Sequence, residues 1–417
     1  MSQISLPLDI DSLEIISQTV DTKGNIVIEV QSKATCTPCH KCGKSATKRY
    51  GYGPHLTIRH LPILDTPVFL KIRPVRYQCE ICDDDPTTSE KYDWCDRRSK
   101  TSKGLDKYIM RSLIHSTLQD VSRKEGLSYR TLVSTLHMTI DHKVNWSDYT
   151  DLRTIGIDEV SLKKGHRDFI TIVSAKDKLG VLSVIAVLPD RLKATVKAFF
   201  ESIPKPLQST VRSVCSDMYD GFVQAAKEVF GSQIVVIDRY HVAKLYRAPL
   251  DKLRIEEMRR LKSELSPEEY AKLEGMMWVL RRDHECLSKA DKDKLSLLYK
   301  HSPKLKQAHK YALKLTHIFN TKCSRKVAQN KLNRWIQSVE NSTVTCFSIF
   351  IGTLQKYKPC ILNYFKDRKN SGFVEGLNNK IKILTRRCYG IFNPASIFQR
   401  MQLDLKGFEV FARTVNN

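Results

Sequence analysis

The chain has 417 residues, and at roughly 150 residues per domain that length leaves room for two to four domains. Its composition, 41% hydrophobic and 27% charged, excludes a disordered tail or a fibrous repeat. Against 45 Asp and Glu stand 69 Lys and Arg, a formal net charge of +24, and such an excess points to a polyanionic partner because each neutralised phosphate releases condensed counterions. The excess is uneven. Residues 1–100 hold 14 basic and 13 acidic side chains, whereas residues 244–370 hold 28 and 13. No apolar run nears the ~18 to 20 residues that span a bilayer. The opening Met1–Asp9 lacks the basic and apolar regions of a signal peptide. A cytoplasmic protein without membrane contact is expected, and in that compartment the twelve cysteines read as thiols or metal ligands.

In chain order, the first feature is a pair of C-x-x-C turns, Cys39-His-Lys-Cys42 and Cys79-Glu-Ile-Cys82, with 36 residues between Cys42 and Cys79. Zinc takes four soft ligands in a tetrahedron, and each turn offers two thiolates. Thr57–Leu61 and Val68–Arg73 alternate like short strands between the turns, so a zinc ribbon with structural Zn²⁺ on Cys39, Cys42, Cys79 and Cys82 is expected. Cys36, His40 and Cys95 remain open as other ligands. Next, Leu118–Val133 reads as helix, glycine turn at Gly126, and helix. Ser128 is placed to cap a second helix that exposes Tyr129, Arg130 and Thr131, where a helix-turn-helix puts its base-reading residues.

The central block changes period. Strands are expected at Thr154–Leu162, Asp168–Ser174 and Gly180–Leu188, then a helix at Leu192–Ile203, a strand at Val211–Ser216, a helix at Tyr219–Phe230 and a strand at Gln233–Ile237. That is the order of an RNase H-like sheet, in which the first and fourth strands are neighbours. Asp158 lies in the first and Asp217 follows the fourth, and two close carboxylates repel unless a divalent cation lies between them.

Residues 244–370 look helical and basic. Lys300–Val339 contains ten Lys or Arg and no acid, and Lys306, Lys310 and Lys314 follow one helix face. A merely solvated helix mixes signs, so contact with a DNA backbone is expected there, while Trp278 and Trp335 read as packing residues. Beyond this stretch, Ser371–Arg387 reads as an amphipathic helix with Val374, Leu377, Ile381 and Leu384 on one face and Glu375, Asn379, Lys382 and Arg386 opposite. The first face should pack on the sheet. Glu375 should meet metal, and Lys382, Arg386 and Arg387 should hold phosphate.

Taken together, Cys39–Gly43 with Cys79–Cys82, Ile157–Val160, Lys164–Ile170, Asp238-Arg-Tyr-His241-Val and Val374–Lys382 with Arg386–Gly390 resemble bacterial insertion-sequence transposases of the ISL-three family, a branch of the DDE transposases. The resemblance implies an α/β RNase H-like core interrupted by an all-α insertion and preceded by a zinc ribbon and a helix-turn-helix. The corresponding spans are a zinc-ribbon domain at 1–100, a helix-turn-helix at 101–147, the first part of the core at 148–243, the basic insertion at 244–369, and the core's C-terminal part at 370–417. It implies that Asp158, Asp217 and Glu375 form the catalytic triad holding two Mg²⁺ (or Mn²⁺) ions, with Asp238 and His241 in support. The implied activity is binding of terminal inverted repeats on double-stranded DNA, followed by cleavage and strand transfer into target DNA. Joining two ends requires a homodimer or larger assembly, nucleoid-associated when on DNA. In this chain the run Asp83-Asp-Asp-Pro and Cys95 depart from the plainer ribbon of the family. A domesticated, non-catalytic regulator would share the ribbon, the helix-turn-helix and the charge. The intact set of three carboxylates favours the enzyme over that alternative.

Overall fold

A computed structural model describes residues 8–96, 99–161, 169–282, 284–368, 372–388 and 390–412. The basic turn Lys163–Arg167 and Ser371 lie outside these residues. The chain divides into two compact units, Met1–Ile140 with Gln402–Asn417, and Asp141–Met401.

The first unit opens with β1 (Leu13–Val20) and β2 (Ile26–Ser32), followed by the short β3 (Thr37–Pro38), β4 (Ser45–Ala46) and β5 (Lys48–Tyr52). β6 (Leu56–Ile63) and β7 (Thr66–Ile72) are the two strands expected from alternation, and β8 (Val75–Gln78) and β9 (Thr87–Ser89) complete the set. They form a four-stranded sheet in the order β1-β2-β7-β6, a β5-β8-β9 sheet and a β3-β4 hairpin. Side chains alternate across a pleated strand, which puts Ile28, Val30, Val68, Leu70 and Ile72 in one core that Trp94 and Cys95 close. Three helices follow: α1 (Lys103–Leu113), α2 (Leu118–Glu125) and α3 (Tyr129–Thr139). Gly126 ends α2 in the left-handed region at φ 60°, a conformation glycine adopts without a Cβ penalty. Ser128 caps α3 by accepting the Thr131 N–H at 3.1 Å. Leu105, Val121, Leu132, Leu136 and Leu403 share their core.

The second unit is built on a five-stranded sheet in the order β12-β11-β10-β13-β14. β10 (Thr154–Ser161) runs antiparallel to β11 (Phe169–Lys176), which runs antiparallel to β12 (Leu182–Leu188). On its other side β10 is parallel to β13 (Ser213–Ser216), and β13 to β14 (Val235–Ile237). The connections carry α4 (Lys193–Ser202), α5 (Lys205–Thr210) and α6 (Asp220–Phe230). Ile155, Ile157, Val173, Val214 and Val235 are buried in near-continuous apolar runs, the pattern of strands covered on both faces.

From the last strand the chain enters a helical region: α7 (Arg239–Glu264), α8 (Pro267–Ala271), α9 (Met276–Arg281), α10 (Lys289–His301), α11 (Pro303–Asn320), α12 (Arg325–Glu340) and α13 (Ser348–Asp367). Ser266, Ser288, Ser302 and Ser324 each cap a helix through the side-chain oxygen. Asn363 of α13 donates to the carbonyls of Ser232 and Val235 at 3.0 and 2.8 Å, so a helix covers the β14 edge. Trp335 is a packing residue, as expected: it is buried and its Nε1 donates to the Tyr311 carbonyl at 2.9 Å. Trp278 is not. It stands 60% exposed beside Arg281, because it occupies the solvent side of α9 while Met276, Val279 and Leu280 are buried. α14 (Gly372–Arg387) and α15 (Pro394–Phe411) end the fold. Among the described residues no helix is long and apolar enough to cross a membrane.

Candidate active site and metal centre

Asp158 and Asp217 stand on neighbouring parallel strands. Gly156, two residues before Asp158 on β10, pairs with Cys215 on β13, and Asp217 follows directly after that strand. Both residues are partly buried, and burial pushes each carboxyl above its ordinary value. Backbone amides act in the opposite direction: Glu159 donates to Asp158 Oδ1 at 2.8 Å, and Tyr219 to Asp217 Oδ1 at 3.1 Å. The charge of Asp158 adds to the upward push on Asp217, while His241 favours the ionised form of both. Two partly buried carboxylates, one on a strand and one just past the neighbouring strand, are hard-oxygen donors of the kind that suits Mg²⁺ or Mn²⁺.

The helix expected to bring the third acid lies on β10. Val374, Leu377, Ile381 and Leu384 are buried, and Glu375, Asn379, Lys382 and Arg386 are exposed, as the amphipathic pattern required. A polar link to the sheet comes from Asn378, whose Nδ2 donates to Asp158 Oδ2 at 2.7 Å. With the Glu159 amide on the other oxygen, the Asp158 carboxylate is held from both sides. Gly156 makes the approach possible: a Cβ there would lie 2.3 Å from Val374 Cγ2 and 2.8 Å from the Phe373 ring. Glu375 sits three residues before Asn378, on the neighbouring ridge of the helix. Its carboxylate faces solvent. Among the described residues it does not join Asp158 and Asp217 in a set with all donor atoms within 4.8 Å of one another.

The remaining groups frame this centre. Asp238, buried after β14, caps α7 by accepting the Tyr240 N–H at 2.8 Å, and so orients the first turn that carries His241. Glu159 is engaged by Arg191 at 2.9 Å, and that guanidinium lies over the rings of Phe169 and Tyr219. Asp220 is taken up by Lys356 and by the Tyr357 hydroxyl at 2.6 Å. Asn378, Gly156 and Arg191 were not singled out from sequence. The signals were a polar residue on the apolar stripe and a glycine inside a strand.

The cysteines form a second centre in the first unit. Cys39, Cys42, Cys79 and Cys82 are gathered with all sulfurs within 4.8 Å of one another. Measured pairs are 4.0 Å for Cys39–Cys82, 3.7 Å for Cys42–Cys79 and 3.8 Å for Cys79–Cys82. A tetrahedron with ~2.3 Å Zn–S arms has edges of about 3.8 Å, so the donor set fits Zn²⁺. Amides of Cys42 and Lys41 draw the Cys39 thiol down to about 6, while the neighbouring thiols and burial push Cys82 up to about 12; a bound cation would favour the thiolate form throughout the cluster. The acidic run after Cys82 shapes the second turn: Asp85 takes φ 43° and donates to the Cys82 carbonyl at 3.0 Å. Cys36 and Cys95 lie outside the cluster, Cys95 in the sheet core, and His40 contacts Thr88 at 3.0 Å.

The expected DNA-binding residues are on the surface. Tyr129 and Arg130 are exposed in the first turn of α3. Lys306, Lys310 and Lys314 are exposed along α11, and none pairs with an acid among the described residues. Lys306 and Lys314 rest on the rings of Tyr299 and Tyr311. Lys382 and Arg386 are exposed and Arg387 is half-buried at the end of α14.

Comparison with known proteins gives the family. The chain is 24% identical over 396 residues to the transposase for insertion sequence element IS1001 of Bordetella parapertussis, covering 95% of each chain. It is 23% identical over 428 residues to the transposase for insertion sequence element IS1557 of Mycobacterium tuberculosis, covering 95% of this chain and 92% of the relative. A solved Drosophila P element transposase strand transfer complex aligns over 77% of this chain and 94% of that one, at 14% identity and a TM-score of 0.38, too loose to define a shared fold. The model of the ISL3 (ISL-three) DDE transposase family, described as "Transposase", matches residues 155–401. The chain belongs to the ISL3 family of insertion-sequence transposases.

Proposed function

We propose that this chain binds the terminal inverted repeats of its insertion sequence and carries out metal-dependent strand cleavage and strand transfer. The observation that carries the reading is the placement of Asp158 on β10 and Asp217 just past the neighbouring parallel strand β13, with α14 fixed onto Asp158 through Asn378. The sheet order, with three antiparallel strands followed by two parallel ones, supports an RNase H-like core at 148–243 and 370–417, interrupted by the insertion at 244–369. The ribbon at 1–100 and the helix-turn-helix at 101–147 complete the assignment. Asp158, Asp217 and Glu375 would hold two Mg²⁺ or Mn²⁺ ions, the Glu375 side chain turning in from the α14 surface. When bound, such ions stabilise the attacking and leaving oxygens of an in-line displacement at phosphorus. The chain's own residues do the rest. Asn378 and the Glu159 amide fix the Asp158 carboxylate, Asp238 orients the turn bearing His241, and Lys382, Arg386 and Arg387 hold the phosphates beside the scissile one. Tyr129 and Arg130 read the repeat, the α11 lysines add sequence-tolerant affinity, and Zn²⁺ on the four cysteines is structural. Two ends must meet, so the active form on double-stranded DNA is a dimer or larger, associated with the nucleoid. Incubating the purified chain with a plasmid that carries the element's ends should give nicks at the ends only with Mg²⁺ or Mn²⁺. Intact plasmid under conditions where the ends are bound would favour the non-catalytic regulator.

A further inference from the structure

The helical region contains a cavity of about 500 Å³ between α7, α9 and α11, and the family assignment gives it no role. Five guanidinium groups line it: Arg239, Arg247, Arg254, Arg281 and Arg282. Among the described residues, two carboxylates, Asp251 and Glu285, line it with them. Arg254 and Arg281 share Asp251 at 2.8 and 3.1 Å, and Arg282 reaches Asp291 at 3.2 Å. Arg247 is exposed and meets no acid among the described residues. The apolar part of the wall, on the same helices, is formed by Tyr246, Leu250, Met277 and Leu280. Polar groups in that wall are already satisfied. The Tyr246 hydroxyl is 2.7 Å from Thr316 Oγ1, and His309 bridges Tyr299 and the Leu280 carbonyl at 2.6 and 3.1 Å.

Apolar and cationic side chains next to one another, in a volume within the ~300 to 1,000 Å³ of small-molecule sites, suit a base attached to a phosphate. A lone phosphate would not need the apolar wall. Position adds to this. α7 begins at the acidic centre, and the six residues from His241 to Arg247 span about 9 Å of helix at ~1.5 Å each. A strand advancing ~3.4 Å per nucleotide covers that in about three nucleotides. We infer that this cavity is a nucleotide-binding site, with Arg247 on the phosphate and the Tyr246–Leu250–Met277 wall on the base.

The nucleotide has two sources: one unstacked from the bound DNA about three positions from the cleaved phosphate, or a free nucleoside triphosphate. The first rests on the transposase reading and the second does not. The test uses the full chain. Transposon-end duplexes carrying 2-aminopurine at successive positions report unstacking, and N-methylanthraniloyl-ATP reports free-nucleotide binding by anisotropy. A rise in 2-aminopurine emission at one position without ATP binding assigns the strand source. ATP binding with silent 2-aminopurine assigns the free one. Either signal should weaken about tenfold or more in Arg247→Glu, the scale of one charge-assisted contact. Met277→Trp, which fills the apolar side and leaves the charges alone, should weaken it too. Both variants must melt as the wild type does, and one that melts lower is replaced by Arg247→Gln or Met277→Phe. If the DNA is bound in a gel shift yet neither probe responds, or both respond equally in the variants, the inference is overturned. If no DNA is bound at all, it is the transposase reading that fails, and the ATP arm still decides for the cavity.

Discussion

Replacing Gly156 by alanine adds one methyl group at the contact between the central strand and α14, and its consequences can be worked through. The new Cβ would meet Val374 Cγ2 at 2.3 Å, and an ordinary contact begins at 3.4 Å. The Phe373 ring can swing aside, but Val374 is branched at Cβ and buried, so strand and helix must part by about 1 Å. Overpacking of this kind costs about 1 to 3 kcal/mol of stability. The larger effect falls on chemistry. Asn378 and Glu375 ride on α14, and the 2.7 Å bond from Asn378 to Asp158 would stretch beyond hydrogen-bond range. A displacement of about 1 Å near reacting groups costs on the order of 10²-fold in rate. The assay is Mg²⁺-dependent nicking of a labelled transposon end, with a gel shift and thermal melting of the same preparations. Gly156→Ala should nick about 100-fold more slowly and bind the end normally, and Val374→Ala added to it should recover much of the loss. Nicking by Gly156→Ala at the wild-type rate would refute the claim that this close approach positions the acidic centre.

Three further outcomes follow from other parts of the molecule. Metal analysis should find one zinc per chain, lost in Cys79→Ser together with a drop in melting temperature; a zinc-free chain that melts normally would contradict a structural site. Changing Lys306, Lys310 and Lys314 to Glu should weaken binding to any DNA and flatten the salt dependence by about 2.7 in log–log slope, at ~0.9 per phosphate contact; an unchanged slope would remove α11 from the backbone interface. Burial raises the Asp217 carboxyl, so its stabilising form is the protonated one, present below the ordinary carboxylate value and lost as pH rises through the raised one. Asp217→Asn should therefore melt a few degrees higher than wild type without metal at pH 7, at about 2 to 4 °C per kcal/mol, and Mg²⁺ should raise the wild type but not the variant.

Much of this architecture is legible in the sequence because burial on both faces writes long apolar runs. Thr154–Val160 and Gly180–Leu188 could be little other than strands, and the α14 stripe at 374, 377, 381 and 384 announces which side is buried. Asn378 falls within that stripe by period, and a polar residue at a buried position asks for a partner. Its partner, 220 residues earlier in the chain, could come only from the folded structure. β1 escaped because it exposes seven of its eight residues, Ile15 and Ile16 among them, and shows no alternation. Trp278 was misjudged because a short helix such as α9 gives too few residues to fix a face. The choice of cysteines needed three dimensions, since Cys36 and Cys95 lie near the C-x-x-C turns in sequence yet outside the cluster in space.

The central claim is that three carboxylates from two strands and a distant helix form one metal-dependent active centre. Glu375→Gln tests it most directly, because the substitution keeps size and shape while removing one negative charge, and Glu375 is exposed, so folding is unaffected. With labelled transposon ends and Mg²⁺, the variant should bind as the wild type does and show no nicking, a loss of several kcal/mol of transition-state stabilisation. Nicking at the wild-type rate would show that Glu375 does not serve the centre formed by Asp158 and Asp217, and the assignment of the triad would fall.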